Sequence, residues 1–179
     1  MILTPVMEKY ILHWGEMGTR WGVNRTVAQI HALLYLSPLP LHAEEISETL
    51  GVARSNVSTS LKELQSWGLV KIVHVMGDRR DHFEALKDLW ESFFAIAEGR
   101  KRRELDPTLS VVRDCALECE HDKETPDDVR ERIECVAEFL EILLTWYEQM
   151  KNMPRPVLLK MLKLGAKVEK LLSKTKKHG

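Results

Sequence analysis

The segment at positions 54–62, RSNVSTSLK, combines short polar side chains with one basic residue at either end. Ser, Thr and Asn side chains donate and accept hydrogen bonds at close range, and Arg and Lys pair with phosphate oxygens. On one exposed helix face, such side chains have the chemistry needed to contact base edges and phosphates. The residues concerned are Arg54, Ser55, Asn56, Ser58, Thr59 and Lys62.

Two adjacent arginines, Arg79 and Arg80, follow in the polar turn MGDRRD at positions 76–81. Arginine in an exposed turn can lie along phosphates or enter a minor groove. Between Arg54 and Arg80 five basic residues stand against two acidic ones, whereas the whole chain has a net charge of −1. Affinity for DNA would therefore come from this local patch, because the overall charge argues against a protein that coats DNA through a large positive field.

The pattern around these residues predicts two helices and a hairpin. Apolar residues at helical spacing indicate helices over 43–50 and 55–67, with Gly51 allowing the sharp turn between them. The period then changes to two, which predicts strands over 70–75 and 82–86. This order is that of a winged helix-turn-helix, whose second helix enters the major groove. The inward stripe of that helix is predicted to be Val57, Leu61 and Leu64.

The predicted fold is mainly α: a winged helix-turn-helix domain with a two-stranded β-wing, plus a helical dimerisation region. We assign 1–24 to an N-terminal helix of the dimerisation region, 25–86 to the DNA-binding domain and 87–179 to the rest of the dimerisation region. Apolar residues over 133–150 and 157–171 recur at steps of three and four, the spacing of a coiled coil. Such faces pack in a bundle within one chain or across a homodimer, and we expect the homodimer.

The stretch from Trp21 to Leu109 resembles the branch of the MarR superfamily that is typified by the glycine betaine synthesis regulator. The resemblance is carried by four short motifs that occur in the same order: Leu-Ser-Pro, Asn-Val-Ser, Trp-Gly-Leu-Val and Gly-Asp-Arg-Arg. It implies a dimeric transcriptional regulator, usually a repressor, that binds a palindromic operator in double-stranded DNA. The positions implied to contact DNA are Ser55, Asn56, Ser58, Thr59, Arg79 and Arg80.

Aromatic residues are concentrated outside the two-helix motif. Aromatic rings can enclose a quaternary ammonium group by cation–π attraction, and the resemblance makes a choline-like effector conceivable. Apolar stripes at helical spacing are more often core, which is the alternative interpretation. The residues predicted to line such an effector pocket are Trp14, Trp21, Trp90, Phe94 and Trp146, and Phe93 and Tyr147 accompany them in the sequence.

A second group with chemical potential is Cys115, Cys119 and His121. Residues four apart share a helix face, so the two cysteines could supply soft ligands for zinc or form a redox pair. The spacing provides no second pair of ligands, and buried cysteines behave as small apolar residues. We therefore predict core packing, with no metal and no cofactor.

The sequence contains none of the motifs that mark a nucleophile elbow, a phosphate loop or a zinc protease, so we expect no enzymatic activity. It also contains no run of about 18 apolar residues, and its first residues lack the basic region of a signal peptide. No membrane association and a cytoplasmic location are the corresponding expectations.

One other interpretation of the motif stays open. Ser and Asn after a glycine turn can be simple helix caps, and two arginines can belong to a solvated turn. The chain would then be a helical protein-interaction module without direct DNA binding. The dependence of binding on salt concentration distinguishes the two interpretations. DNA binding through several basic contacts weakens steeply as the salt concentration rises, whereas apolar docking does not.

Overall fold

The computed structural model describes residues 1–164 and consists mainly of helices. It divides into two compact units, Met1–Lys101 and a second unit from Arg102 onward. The elements of the first unit are α1 (Pro5–Arg20), α2 (Arg25–Leu36), β1 (Leu41–His42), α3 (Ala43–Leu50), α4 (Arg54–Ser66), β2 (Val70–Val73), β3 (His82–Ala85) and α5 (Leu89–Arg100). The mainly helical winged helix-turn-helix fold predicted from the sequence is confirmed.

Local capping explains where α2 and α3 begin and end. The side chain of Asn24 accepts a hydrogen bond from the backbone N–H of Thr26 at 2.8 Å and so caps α2. At the start of α3, His42 Nδ1 accepts from the Glu45 N–H while Glu45 Oε2 accepts from the His42 N–H. Gly51 ends α3 with φ of 63°, a left-handed conformation that glycine adopts without steric cost.

The inner side of α4 completes the core of the first unit. Val57, Leu61 and Leu64, the stripe predicted from spacing, are at most 2% exposed. They belong to one apolar cluster with α2 residues such as Ile30 and with Ile46 of α3, both fully buried. Burying each large side chain contributes about 1.5–3 kcal/mol, so this stripe fixes the rotation of α4 about its own axis.

A three-stranded antiparallel sheet in the order β1-β3-β2 extends the two-stranded hairpin that the sequence predicts. The extra strand, β1, has two residues and pairs Leu41 with Phe83, which is too short a segment to show alternation in the sequence. We call residues 70–85, which comprise β2, β3 and their connecting turn, the wing. Pairing in the wing ends at Val73 and His82, so β2 is two residues shorter than predicted.

Helices α1 and α5 lie in the same compact unit as the winged helix. Lys87, just before α5, donates from Nζ to the carbonyl oxygens of Leu34, Tyr35 and Ser37 at 2.6–2.9 Å. These bonds satisfy acceptors at the C-terminal end of α2 that would otherwise have no partner in the helix. The assignment of 1–24 and 87–179 to dimerisation remains a prediction.

The second unit contains α6 (Asp106–Cys119) and α7 (Asp127–Lys151), preceded by the short π-helical segment Lys101–Leu105 at the junction. Leu109 of α6 and Leu140 and Leu144 of α7 form its small buried cluster. Residues 155–164 are helical, and the rest of the apolar repeat predicted over 157–171 lies outside the described residues. Within residues 1–164, no helix is both long and apolar enough to span a membrane.

Candidate nucleic-acid interface

The outer face of α4 presents the six residues singled out in the sequence: Arg54, Ser55, Asn56, Ser58, Thr59 and Lys62, all of them exposed. The buried positions of α4 are Val57, Ser60, Leu61 and Leu64. Because the stripe fixes the rotation of the helix, the polar side chains all remain on the opposite side, free of the core. This face is apolar at no position and carries a positive charge at each end.

The N-terminus of α4 has no side-chain cap, since its N-cap residue is Ala53. Ser55 and Asn56 lie inside the helix, so the interpretation of them as simple capping residues is wrong. The unpaired N–H groups of the first turn and the positive end of the helix dipole therefore lie beside Arg54. Thr59 donates its hydroxyl hydrogen to the Ser55 carbonyl at 3.1 Å and keeps its oxygen lone pairs as acceptors.

The two arginines of the wing have different surroundings. Arg79 is exposed and makes no hydrogen bond or ion pair within residues 1–164. Arg80 donates from Nε to both carboxylate oxygens of Asp78, at 2.9 and 3.0 Å. These hydrogen bonds from Arg80 hold the pKa of Asp78 well below its usual range. Arg79 is therefore available to a partner, whereas Arg80 is already held in the turn.

Glu44, in the first turn of α3, was missed by the sequence analysis. Its Oε1 lies 2.8 Å from Arg54 Nη1, and its Oε2 lies 3.4 Å from Arg80 Nη1. The charge count from 54 to 80 could not include it, because Glu44 precedes that segment and reaches it only through the fold. A single carboxylate thus joins α3, the start of α4 and the wing.

A groove of about 390 Å³ lies between α3, α4 and the wing. It is lined by several of the predicted residues, namely Arg54, Ser58, Lys62 and Arg80, together with Glu44 and Gln65, which the sequence analysis did not select. Gln65 follows Lys62 by three residues and Ser58 by seven, and that spacing alone could have placed it on the side of the helix that borders the groove. The groove combines positive side chains with hydrogen-bonding groups, as contact with a polyanion requires.

A second cavity, of about 440 Å³, lies within the first unit beside α1, α2 and α5. Trp14 and Trp21, two of the predicted effector-pocket residues, line it together with Tyr10, Tyr35 and Phe93. Trp90 and Phe94 contact Phe93 through their rings but do not line the cavity. Trp146 lies on α7 of the second unit.

Two buried polar residues, His31 and Ser92, lie among those that line this aromatic cavity. His31 is 7% exposed, and its Nε2 atom has no hydrogen-bond partner within the described part of the chain. Burial lowers the pKa of His31 to about 4, so the imidazole is neutral at neutral pH. Arg100 adds a positive charge at the edge, and no carboxylate occurs among the described lining residues. The quaternary ammonium ligand considered from the sequence remains a prediction.

The cysteine group shows no arrangement suited to metal binding. Cys119 is buried as predicted, but Cys115 and Cys135 are exposed, so the prediction of core packing is wrong for Cys115; all three are free thiols. Nowhere within residues 1–164 do three metal-ligating side chains come together.

A polar, positively charged outer helix face beside a basic wing defines a winged helix-turn-helix of the DNA-binding class. The model of the MarR family matches residues 21–81 of the chain. This segment contains the winged helix, and the match confirms the resemblance to the MarR family that was inferred from the sequence.

Two relatives and one solved structure support this assignment. The chain is 21% identical to the putative HTH-type transcriptional regulator YvaV of Bacillus subtilis (strain 168), over 87% of this chain and 96% of YvaV. It is 22% identical to the HTH-type transcriptional repressor GbsR of the same organism, over 76% and 77% of the two chains. A crystal structure of a transcriptional regulator, 19% identical, has the same fold, with a TM-score of 0.63 over 81% of this chain and 95% of that one. The two relatives are transcriptional regulators by name, and the solved structure shows that the fold of this chain is shared.

Stability should depend on pH through His31. Its pKa is about 4 in the folded protein and near 6.5 when unfolded, so the unfolded chain binds the proton more tightly. Below pH 6.5 the unfolded chain takes up this proton while the folded protein does not. The free energy of unfolding is therefore highest above pH 6.5 and decreases as the pH falls from 6.5 towards 4. We expect a loss of about 2 kcal/mol in the free energy of unfolding between pH 8 and pH 5.

The measurement is urea unfolding at several pH values for the wild type, His31→Gln and His13→Gln. His31→Gln should lack this part of the pH dependence, and the exposed His13 serves as the matched control. Identical pH profiles for all three proteins would contradict the assignment.

Proposed function

We propose that the chain is a cytoplasmic, homodimeric repressor that binds a palindromic operator through α4 and the wing. The observation that carries this proposal is the outer face of α4, where six polar or basic residues are exposed together, with Arg79 exposed on the wing. Side chains of this kind contact base edges in the major groove, and an arginine on the flanking wing contacts the backbone or the minor groove. Binding of this kind over a promoter would block transcription.

The alternative, a protein-interaction module without DNA binding, receives less support from the same face. Docking surfaces between proteins have an apolar centre with charged residues at the rim. The outer face of α4 has no apolar residue, and its charged residues, Arg54 and Lys62, are both basic. This composition suits a polyanion better than a protein surface.

Replacing Arg79 with Ala should weaken DNA binding, because Arg79 is the wing arginine that no carboxylate holds. We expect the affinity to decrease about tenfold. The slope of log affinity against log salt concentration (the salt slope) should become smaller by about one, because one phosphate contact is lost. Asn56→Ala should instead relax the preference for the selected sequence. Fluorescence anisotropy with a duplex selected from a random pool measures both effects, at two salt concentrations.

The control for this experiment is Lys9→Ala, which removes the same charge from an exposed position of α1. Failure of selection to enrich any sequence would contradict the proposed function. Equal binding by Arg79→Ala and Lys9→Ala would retain DNA as the partner but remove the wing from the interface.

Dimerisation is proposed because α7 exposes an apolar face in the single chain. Its large apolar residues at steps of three and four include Val136, Phe139, Ile142 and Trp146, which are 47–63% exposed. Adjacent exposed apolar residues of this kind mark interaction surfaces. A second copy of the chain is the occupant we propose, because a palindromic operator requires two α4 helices at a fixed separation.

Phe139→Glu should convert the dimer to a monomer, because it places a charge in the apolar interface. The mass in solution, measured by light scattering, should fall to about half while the helical circular dichroism is retained. Thr145→Glu, which adds the same charge at an exposed polar position of α7, should leave the mass unchanged. A wild-type chain that is itself monomeric, or a Phe139→Glu dimer, would contradict the proposed interface.

We also propose that a small apolar effector bearing a hydrogen-bonding group binds the aromatic cavity and alters DNA affinity. The aromatic rings of Trp14 and Trp21 provide contact area, and His31 and Ser92 are polar residues among those that line the cavity. The ligand would act by binding more tightly to one arrangement of the two α4 helices in the dimer than to another.

The cavity can be tested with the fluorescent probe 8-anilinonaphthalene-1-sulfonate. Ala97→Trp, which fills the cavity, should bind the probe severalfold more weakly than the wild type because the apolar space is occupied. Glu91→Trp places the same ring at an exposed position of α5 and serves as the control. Equal titrations for all three proteins would show that the cavity is not a ligand site.

A further inference from the structure

Two acidic residues, Glu44 and Asp81, line the basic groove, and Glu44 is the one that contacts its arginines. Its two carboxylate oxygens approach two different guanidinium groups, Arg54 Nη1 at 2.8 Å and Arg80 Nη1 at 3.4 Å. Ten residues separate Glu44 from Arg54 along the chain and 36 separate it from Arg80. The contact therefore exists only because the fold brings α3, α4 and the wing together.

Arginines bind a phosphate in the same arrangement, with two guanidinium groups directed at one pair of anionic oxygens. Carboxylate and phosphate oxygens accept the same charge-assisted hydrogen bonds from Arg N–H groups. Within residues 1–164, Glu44 is the one hydrogen-bonding or ion-pair partner of the Arg54 side chain. A DNA phosphate that approached Arg54 would have to replace this carboxylate.

We propose that Glu44 occupies, in the free protein, the position that a DNA backbone phosphate takes between Arg54 and the wing. This inference rests on the proposed DNA-binding function, and it gives Glu44 the role of lowering the affinity for DNA. The carboxylate competes with phosphate for the arginine donors, and its fixed negative charge repels a phosphate that does not displace it.

The exposure of the groups makes such an exchange inexpensive. The side chains of Arg54 and Glu44 are 69% and 42% exposed, and ion pairs between exposed groups are weak because water screens them. Arg80 keeps its hydrogen bonds to Asp78 when Glu44 leaves, so the wing retains its turn. DNA therefore has to displace one weak ion-pair network rather than rearrange the backbone.

A different role is that Glu44 orients the two arginines for DNA. The two roles predict opposite results when the carboxylate is removed. Competition predicts tighter DNA binding without Glu44, whereas orientation predicts weaker binding. The sign of the change therefore decides between them.

The experiment compares Glu44→Gln with the wild type, using anisotropy of a labelled random-sequence duplex across a salt series. We expect Glu44→Gln to bind about threefold to tenfold more tightly, with a salt slope steeper by about one. The matched control is Glu16→Gln, which makes the same charge change at an exposed position of α1 outside the groove. It should have a much smaller effect.

Arg54→Ala provides a second arm. In the Arg54→Ala background the gain in DNA affinity from Glu44→Gln should be smaller, because the guanidinium group for which Glu44 and phosphate compete most directly is absent. Binding by Glu44→Gln that equals that of Glu16→Gln, or is weaker than wild type, overturns the inference. Because the duplex here has a random sequence, failure of the proposed function is detected separately, by the selection experiment that enriches no operator.

Discussion

Burial of the inner stripe of α4 is the constraint on which the rest of the interface depends. Val57, Leu61 and Leu64 are almost completely buried against α2 and α3, and their loss from the core would cost several kcal/mol each, about 2–5 for a Leu to Ala change. Because side chains on a helix are fixed relative to one another, this packing also directs Ser55 and Ser58 outward. The polar face is a consequence of the apolar one, and it requires no stabilising contacts of its own.

Electrostatics acts on this scaffold at short range. The chain has a net charge of −1, so its behaviour towards a polyanion depends on individual positions rather than on the overall field. Arg79 is unpartnered in the described chain, Arg80 is held by Asp78, and Arg54 contacts Glu44. These arginines thus differ in how many N–H donors each has available for a ligand. The difference depends on which carboxylates already accept hydrogen bonds from them.

The accuracy of the sequence analysis followed the strength of local signals. The bounds of α3 were predicted correctly because Gly51 marks its end within a few residues. The start of α4 was placed one residue late, since Ala53 supplies no capping side chain to mark it. Strand β1 was missed because two residues carry no periodicity, and its pairing with β3 spans about forty positions.

The sequence by itself determined the two helices and the hairpin of the motif, the inward stripe of α4 and the identity of its six outward residues, because each depends on spacing within one helix or turn. Only the tertiary structure decided that Glu44 meets Arg54 and Arg80, that His31 is buried without a partner for Nε2, and that Trp14 and Trp21 share a cavity. These features join residues from separate elements. Their distances depend on how the elements pack, which no periodicity within one segment encodes.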